Sequence, residues 1–409
     1  MPSDLATKLL ARLPAQLPEA FDWLERMVRL NSFSSNPAGV NQVGAVTAEC
    51  FSELGFKAES IPSTDSTYGA HLFLTRRVNA QPPVVLVTHL DTVFPAEEEQ
   101  RNDFHWQHAE AEGRIYGPGT VDIKGGTVLI WLMLRALREF APEVFEKTNW
   151  LIAANASEEV MSGDFAVRTI ERCPDGARAV LVFEGGPREG DEWHIVTSRK
   201  GRAEYRVSAE GRAAHAGSSH QDGINAIVEI ADAVKAVARL TDYGAGLTVN
   251  VGRVSGGTVT NRVPHEAAME LEMRAFDPKV LTRAGKRVLA LDRSQPEAGE
   301  ALLRVECLGA TPAWPNDAQT QELFAHWATA AQDFSMKLKS VSRGGLSDAN
   351  YLCSLGPTLD GLGPCGANAH CSERSTDGSK VPEFVETGSF VPKTALNVVA
   401  LLNLLGSDA

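Results

Sequence analysis

The stretch VVLVTHLDTVFP, residues 84–95, decides the fold. It opens as a short apolar run, read as a buried strand, and runs at His89 into a loop that ends at Pro95. Two other stretches repeat the pattern. NWLIAANASEE (149–159) ends in paired glutamates, and AVLVFEGG (179–186) closes on Glu184 and a glycine pair. Helical patterning fills the intervals, over 15–33, about 40–53 and 124–140. Short apolar strands separated by helices predict an α/β fold with a mixed, mostly parallel sheet flanked by helices.

The pattern changes near residue 200. KGRAEYRVSAEG alternates polar and apolar residues, as a half-exposed strand should, and a helix follows at about 223–240. Two more alternating strands lie in LTVNVGRVSGG and AAMELEMRAFD, then a helix at about 278–292 and a strand at LLRVECLG. The order β-α-β-β-α-β predicts a small antiparallel sheet with both helices on one face, an α+β ferredoxin-like unit. From about 312 the earlier pattern resumes. At 409 residues two domains are expected. They are assigned as 1–198 with 312–409 for the larger, discontinuous domain, and 199–311 for the inserted one.

Composition narrows the function. A formal charge of −13 argues against a nucleic-acid partner, since phosphate binding needs a basic surface. Nothing reads as a membrane span or an export signal, so a cytoplasmic protein without a membrane partner is expected. The six cysteines lack the paired short spacing of a zinc finger or redox motif and read as reduced thiols.

In open parallel sheets, ligands bind beyond the carboxyl ends of the strands. Here those ends carry His89, the Glu158–Glu159 pair and Glu184, while Asp122 lies in the turn GPGTVDIKGG (117–126) before a helix. Such acids are either solvated or gathered around a cation. The mixture of imidazole and carboxylate favours zinc or a neighbouring transition ion over calcium or magnesium. Taken singly, each residue has a plainer reading: His89 as a satisfied strand-end histidine, Asp122 as a helix cap, the glutamates as a solvated loop.

HLDTVFP, GPGTVDIKGG, NASEEVMSG, FEGG and GRAAHAG, in that order and spacing, resemble the dinuclear zinc exopeptidases and deacylases. That family includes glutamate carboxypeptidase, aminoacylase, acetylornithine deacetylase and succinyl-diaminopimelate desuccinylase, and the pattern is nearest the carboxypeptidase-like members. The resemblance implies a zinc exopeptidase-like fold and two Zn2+ ions, with Co2+ or Mn2+ as substitutes. It implies His89 and Glu184 on one ion, Glu159 and His370 (in GPCGANAHCSER) on the other, and Asp122 bridging both. It further implies Asp91 as the carboxylate that orients His89, Glu158 as the acid/base residue, and a peptide after Asp122 that is often cis. His215 in GRAAHAG matches the family's oxyanion donor. Asn261 in GGTVTNRVPH and Arg274 in LEMRAFD match positions that hold the substrate, and Arg343 in SRGGLSDAN is a further carboxylate anchor or simply part of a glycine turn. The implied activity is hydrolysis of an amide beside a free carboxylate, in an N-acyl amino acid or short peptide. The implied assembly is a homodimer through the inserted domain, which doubles as a lid.

Two departures stand out. Ser157 replaces the aspartate that often precedes the paired glutamates, and Thr311 in GATPAWPND falls where carboxypeptidase-type relatives show an arginine before proline. The second points away from glutamate-type specificity and shifts carboxylate anchoring to Arg274 or Arg343. An N-carbamoyl amidohydrolase fits the same scaffold. A metal-holding binding module is the other reading, but it gives Glu158 no work to do. A phosphate loop in GPGTVDIKGG fails, because neither GxGxxG nor GK[ST] is present in frame.

Overall fold

The computed structural model describes residues 4–297 and 299–406. The chain divides into two compact units, Met1–Thr197 with Asn316–Ser342 and Ser347–Ala409, and Ser198–Pro315 with Arg343–Leu346. The turn Arg343–Leu346 therefore joins the second unit, well outside the segment 199–311.

A six-stranded sheet forms the centre of the first unit, in the order Lys57–Pro62, Ala70–Arg76, Trp150–Asn155, Val84–His89, Ala179–Val182, Thr358–Leu359. The last four pair in parallel, and only Ala70–Arg76 runs against the rest. The three strands read from the sequence are thus its neighbouring central strands. Val84–His89 and Trp150–Asn155 are buried at every position. The register pairs His89 with Asn155, which puts the ends of both strands at one edge of the sheet.

Helix Gly125–Phe140 is buried without interruption from Gly125 to Leu134, as a helix enclosed by its neighbours must be. The expected helix over 15–33 is shorter. Leu17–Val28 is preceded by a 3₁₀ turn at Leu13–Gln16, and each starts with a proline in its first turn. Proline has no N–H to give to an α-helix interior, so the break falls there. Among the described residues one helical stretch, Thr387–Gly406, is long and apolar enough to cross a membrane. Its helix Phe390–Gly406 contributes Phe390, Leu396, Val398 and Leu401 to the core of the first unit.

The second unit is a four-stranded antiparallel sheet in the order Thr248–Gly256, Glu266–Ala275, Gly201–Glu210, Leu302–Thr311. Along Gly201–Glu210 burial alternates strictly, so Ala203, Tyr205, Val207 and Ala209 face the helices Ala226–Ala238 and Pro278–Leu289. The opposite face carries charge, including the Arg206–Glu270 pair.

Candidate metal centre

Seven residues singled out from the sequence come together in the first unit. His89 closes the strand Val84–His89 and is fully buried. Its Nδ1 lies 3.0 Å from the main-chain carbonyl of Asp91 and 3.4 Å from that residue's carboxylate, so Nδ1 donates on that side and Nε2 is presented inward. Nε2 stands 3.0 Å from Asp122 Oδ1 and 3.9 Å from Glu184 Oε1. The second oxygen of Asp122 faces His370 Nε2 at 3.3 Å, and that nitrogen lies 3.1 Å from Glu159 Oε2. One carboxylate thus joins two donor groups, His89–Asp122–Glu184 and Asp122–Glu159–His370, each with donor atoms within 4.8 Å of one another. These are the only such groups among the described residues.

Local sequence explains the convergence. In GPGTVDIKGG a Cβ on Gly125 would sit 2.4 Å from Thr120 O, and one on Gly126 would sit 2.1 Å from Phe183 O. Only glycine lets the carbonyl before Glu184 approach the helix that follows Asp122. The Asp122–Ile123 peptide is cis. His370 has a φ of 67°, an uncommon backbone for a residue with a side chain, as has Asn368 at 61°.

Asp91 does more than orient an imidazole. Its Oδ1 accepts from the Glu158 N–H at 3.0 Å and its Oδ2 from the Glu159 N–H at 3.2 Å, while Ser34 Oγ donates to Oδ2 at 2.6 Å. The buried carboxylate therefore fixes the turn that carries the paired glutamates to the strand end that carries His89.

The charges are poorly balanced without a cation. Burial raises the Glu158 carboxyl well above its usual range, and it raises Glu159 as well. Burial alone would lower His89, but contacts with Asp122 and Asp91 reverse this and push it well up. His370 rises to about 10 through Asp122 and Glu159. Asp122 is lowered because the same two imidazoles outweigh its burial. The cluster draws positive charge onto both imidazoles, and a metal ion between the same atoms would meet that demand without the protons.

The remaining residues singled out lie in the second unit. His215 Nδ1 accepts from the Gly217 and Ser218 N–H groups, each at 3.1 Å, which leaves Nε2–H as a free-standing donor on an exposed ring. Asn261 sits in the exposed loop after Thr248–Gly256, and its carbonyl accepts from the Ala216 N–H. Arg274 is engaged within its own unit, bidentate to Glu272 at 2.8 and 2.9 Å and donating to Gly344 O at 3.0 Å. Arg199 donates to Gly345 O and Leu346 O, so two arginines staple the bend that follows Arg343, the exposed last residue of the strand Lys337–Arg343. A cavity of about 500 Å³ in this unit, lined by Gly256, Thr258, Arg262 and Arg304 among others, holds neither donor group.

Three buried polar groups beside the centre escaped the sequence reading. Glu383 Oε1 accepts from the N–H groups of Val121 and Asp122, at 2.9 and 3.1 Å. Asn155 Nδ2 donates to Asp348 Oδ1 at 2.8 Å, and burial lifts that carboxyl to about 7. His71 accepts from the Ala156 N–H at 3.1 Å. None belongs to a spaced motif, and burial of a lone polar residue leaves no periodic trace.

Residues 197–290 match the family model described as the peptidase dimerisation domain of the M20 type. Over 372 residues the chain is 25% identical to carboxypeptidase G2 of Pseudomonas sp. strain RS-16, covering 89% of this chain and 86% of the relative. It is also 25% identical over 375 residues to succinyl-diaminopimelate desuccinylase of Bordetella petrii, covering 88% and 91%. The chain is a relative of the M20 peptidases. That relation makes it a metallohydrolase acting on amide bonds. The fold of this M20 relative matches the crystal structure of aminopeptidase PepT from Bacillus cereus, with a TM-score of 0.73 at 20% identity, over 95% of this chain and 98% of that one.

Proposed function

We propose that the chain hydrolyses an amide beside a free carboxylate, as a carboxypeptidase or N-acyl-amino-acid deacylase with two zinc ions. The observation that carries this reading is the sharing of Asp122: one oxygen faces His89, the other His370, with Glu184 and Glu159 completing the two sets. Two imidazoles and three carboxylates suit zinc, with cobalt or manganese as substitutes. Such ions would supply Lewis acidity, making a water acidic near neutral pH and polarising the carbonyl.

The protein's own residues do the rest. Glu158 is held by its backbone on Asp91 and buried beside the donor sets. It takes a proton from the attacking water and returns it to the leaving nitrogen, and its burial favours holding that proton. His215 offers Nε2–H to the developing oxyanion, the tautomer being fixed by its own turn. Asn261 assists at the carbonyl. Arg343 receives the substrate carboxylate beside a bend braced by Arg274 and Arg199.

A homodimer through the second unit is part of this reading. Its support is apolar surface on two adjoining elements of that unit, Ile227 and Val228 on the helix and Val254 on the edge strand Thr248–Gly256, with Val259 just beyond. Cytoplasmic operation completes it.

The test is amino-acid release from N-acetyl, N-formyl, N-benzoyl, N-carbamoyl and dipeptide substrates. Metal-stripped, zinc- or cobalt-reconstituted and Glu158→Ala proteins are compared. Release should require metal and vanish in Glu158→Ala. Release that survives both treatments rules the mechanism out.

A further inference from the structure

The turn that carries Glu158 and Glu159 is closed at its base by one imidazole. His71 lies on the strand Ala70–Arg76 and is fully buried. Its Nδ1 accepts from the N–H of Ala156, just before the turn, at 3.1 Å. Its Nε2 stands 3.2 Å from Oδ2 of Asp164, which opens the helix Asp164–Glu171 after the turn. That second contact is a close polar approach outside hydrogen-bond geometry. One ring thus bridges both ends of residues 156–164. Asp164 is itself anchored, accepting from Ser63 Oγ at 2.9 Å, the Thr64 N–H at 2.7 Å and Thr64 Oγ1 at 3.2 Å. Phe165 packs on the imidazole with ring centroids 5.4 Å apart, and Phe73 stacks on Phe165. Asp91 holds the crown of the turn, and His71 holds its base.

We propose that His71 is a positioning residue for the hydrolytic turn, a neutral imidazole whose Nδ1 accepts from Ala156 while Nε2–H faces Asp164, fixing where Glu158 and Glu159 stand. The proposal rests on the reading of Glu158 as base and Glu159 as ligand. Only a neutral imidazole leaves Nδ1 free to accept from the Ala156 N–H while Nε2 keeps its proton toward the Asp164 carboxylate. The Ala156 N–H is buried, so losing its acceptor shifts the local equilibrium toward opening by about tenfold to a hundredfold. Burial keeps the ring below its ordinary pKa even with Asp164 beside it; Asp91 and Arg168 are the other charged groups acting on it. The ring is therefore neutral at neutral pH. It touches neither donor set and acts through the backbone.

The experiment compares the metal-loaded wild type with His71→Leu, His71→Asn and His71→Gln. It measures hydrogen–deuterium exchange of peptides spanning 156–164, bound metal per chain, and kcat and KM. Asparagine can place its carbonyl near the position of Nδ1, whereas glutamine reaches toward Asp164. His71→Leu should speed exchange in the turn by about tenfold or more while helix Gly125–Phe140 stays protected, and should lower kcat by about tenfold to a hundredfold with KM nearly unchanged. His71→Asn should recover most of both. Unchanged exchange in the turn of His71→Leu overturns the proposal, as does His71→Asn behaving no better than His71→Leu. If His71→Leu does not fold, the asparagine and glutamine variants decide: a protected turn in the first alone supports the clamp, and equal behaviour overturns it. A wild type without metal-dependent hydrolysis would overturn the functional reading, while the exchange data still judge the clamp.

Discussion

Replacing Glu383 should damage the proposed metal centre without touching a proposed ligand. The side chain is fully buried, and Oε1 alone accepts from the Val121 and Asp122 N–H groups. Its main chain also donates to Cys371 O at 2.7 Å, one residue past His370. Truncation in Glu383→Ala strands one buried and one part-buried N–H group, at about 1–3 kcal/mol each, so a loss of roughly 2–6 kcal/mol is expected. Glu383→Gln should behave differently. Burial, followed by the charge of Asp122, lifts this carboxyl to about 8, so in metal-free protein at pH 7 it is mostly protonated. A neutral amide has nearly the shape of a neutral acid, and its carbonyl can still accept both bonds. Glu383→Gln should therefore cost less than about 1 kcal/mol. Urea unfolding of metal-stripped protein at pH 7 measures both values, and metal titration shows whether Asp122 is still held. Glu383→Ala within about 1 kcal/mol of wild type, with normal metal binding, would refute the reasoning.

Asp91→Asn should leave the fold intact but lower kcat by about tenfold to a hundredfold, because an amide cannot accept from Glu158, Glu159 and Ser34 together; steady-state kinetics with metal analysis checks this, and an unchanged kcat counts against it. Stripping the metals should lower the unfolding free energy by about 4 kcal/mol relative to protein in free metal at a thousand times Kd, restored by zinc; a chelator that leaves the urea midpoint in place would argue against a folded-state site. Lys393 is fully buried, donates to Gly361 O at 2.8 Å, and is lowered by burial to about 8. The native state sheds that proton between about pH 8 and 10.5 while the unfolded chain keeps it, so this group's contribution to stability rises with pH there and is least favourable below 8. Lys393→Met should raise stability at pH 7 by about 2 kcal/mol, the desolvation cost of about 3 less a lost hydrogen bond, and flatten that slope; no gain at pH 7 would refute the account.

The sequence exposed whatever repeats with a period. Val84–His89 and Trp150–Asn155 were legible because a strand buried on both faces must be apolar throughout. The second unit was legible because burial alternates along Gly201–Glu210 and Glu266–Ala275. Lys57–Pro62 was not, since an edge strand exposed at nearly every position carries no alternation. Nor were the short strands Arg114–Tyr116 and Phe384–Glu386, whose pairing across a long stretch of chain leaves no local pattern.

The same distinction holds at the metal centre. Residues whose chemistry requires a particular side chain beside a particular turn, such as Asp122 before Gly125 and Gly126, can be read from a motif. Residues that hold those turns cannot. His71, Asp348 and Glu383 each meet their partners across long separations, through backbone N–H groups or a buried amide that any residue type could border. What selects them is the cost of leaving a buried donor or acceptor unpaired, a property of the folded neighbourhood that a linear pattern does not contain. The proposed ligands are therefore the legible half of the centre, while its geometry depends as much on acceptors placed where the backbone would otherwise be left unsatisfied.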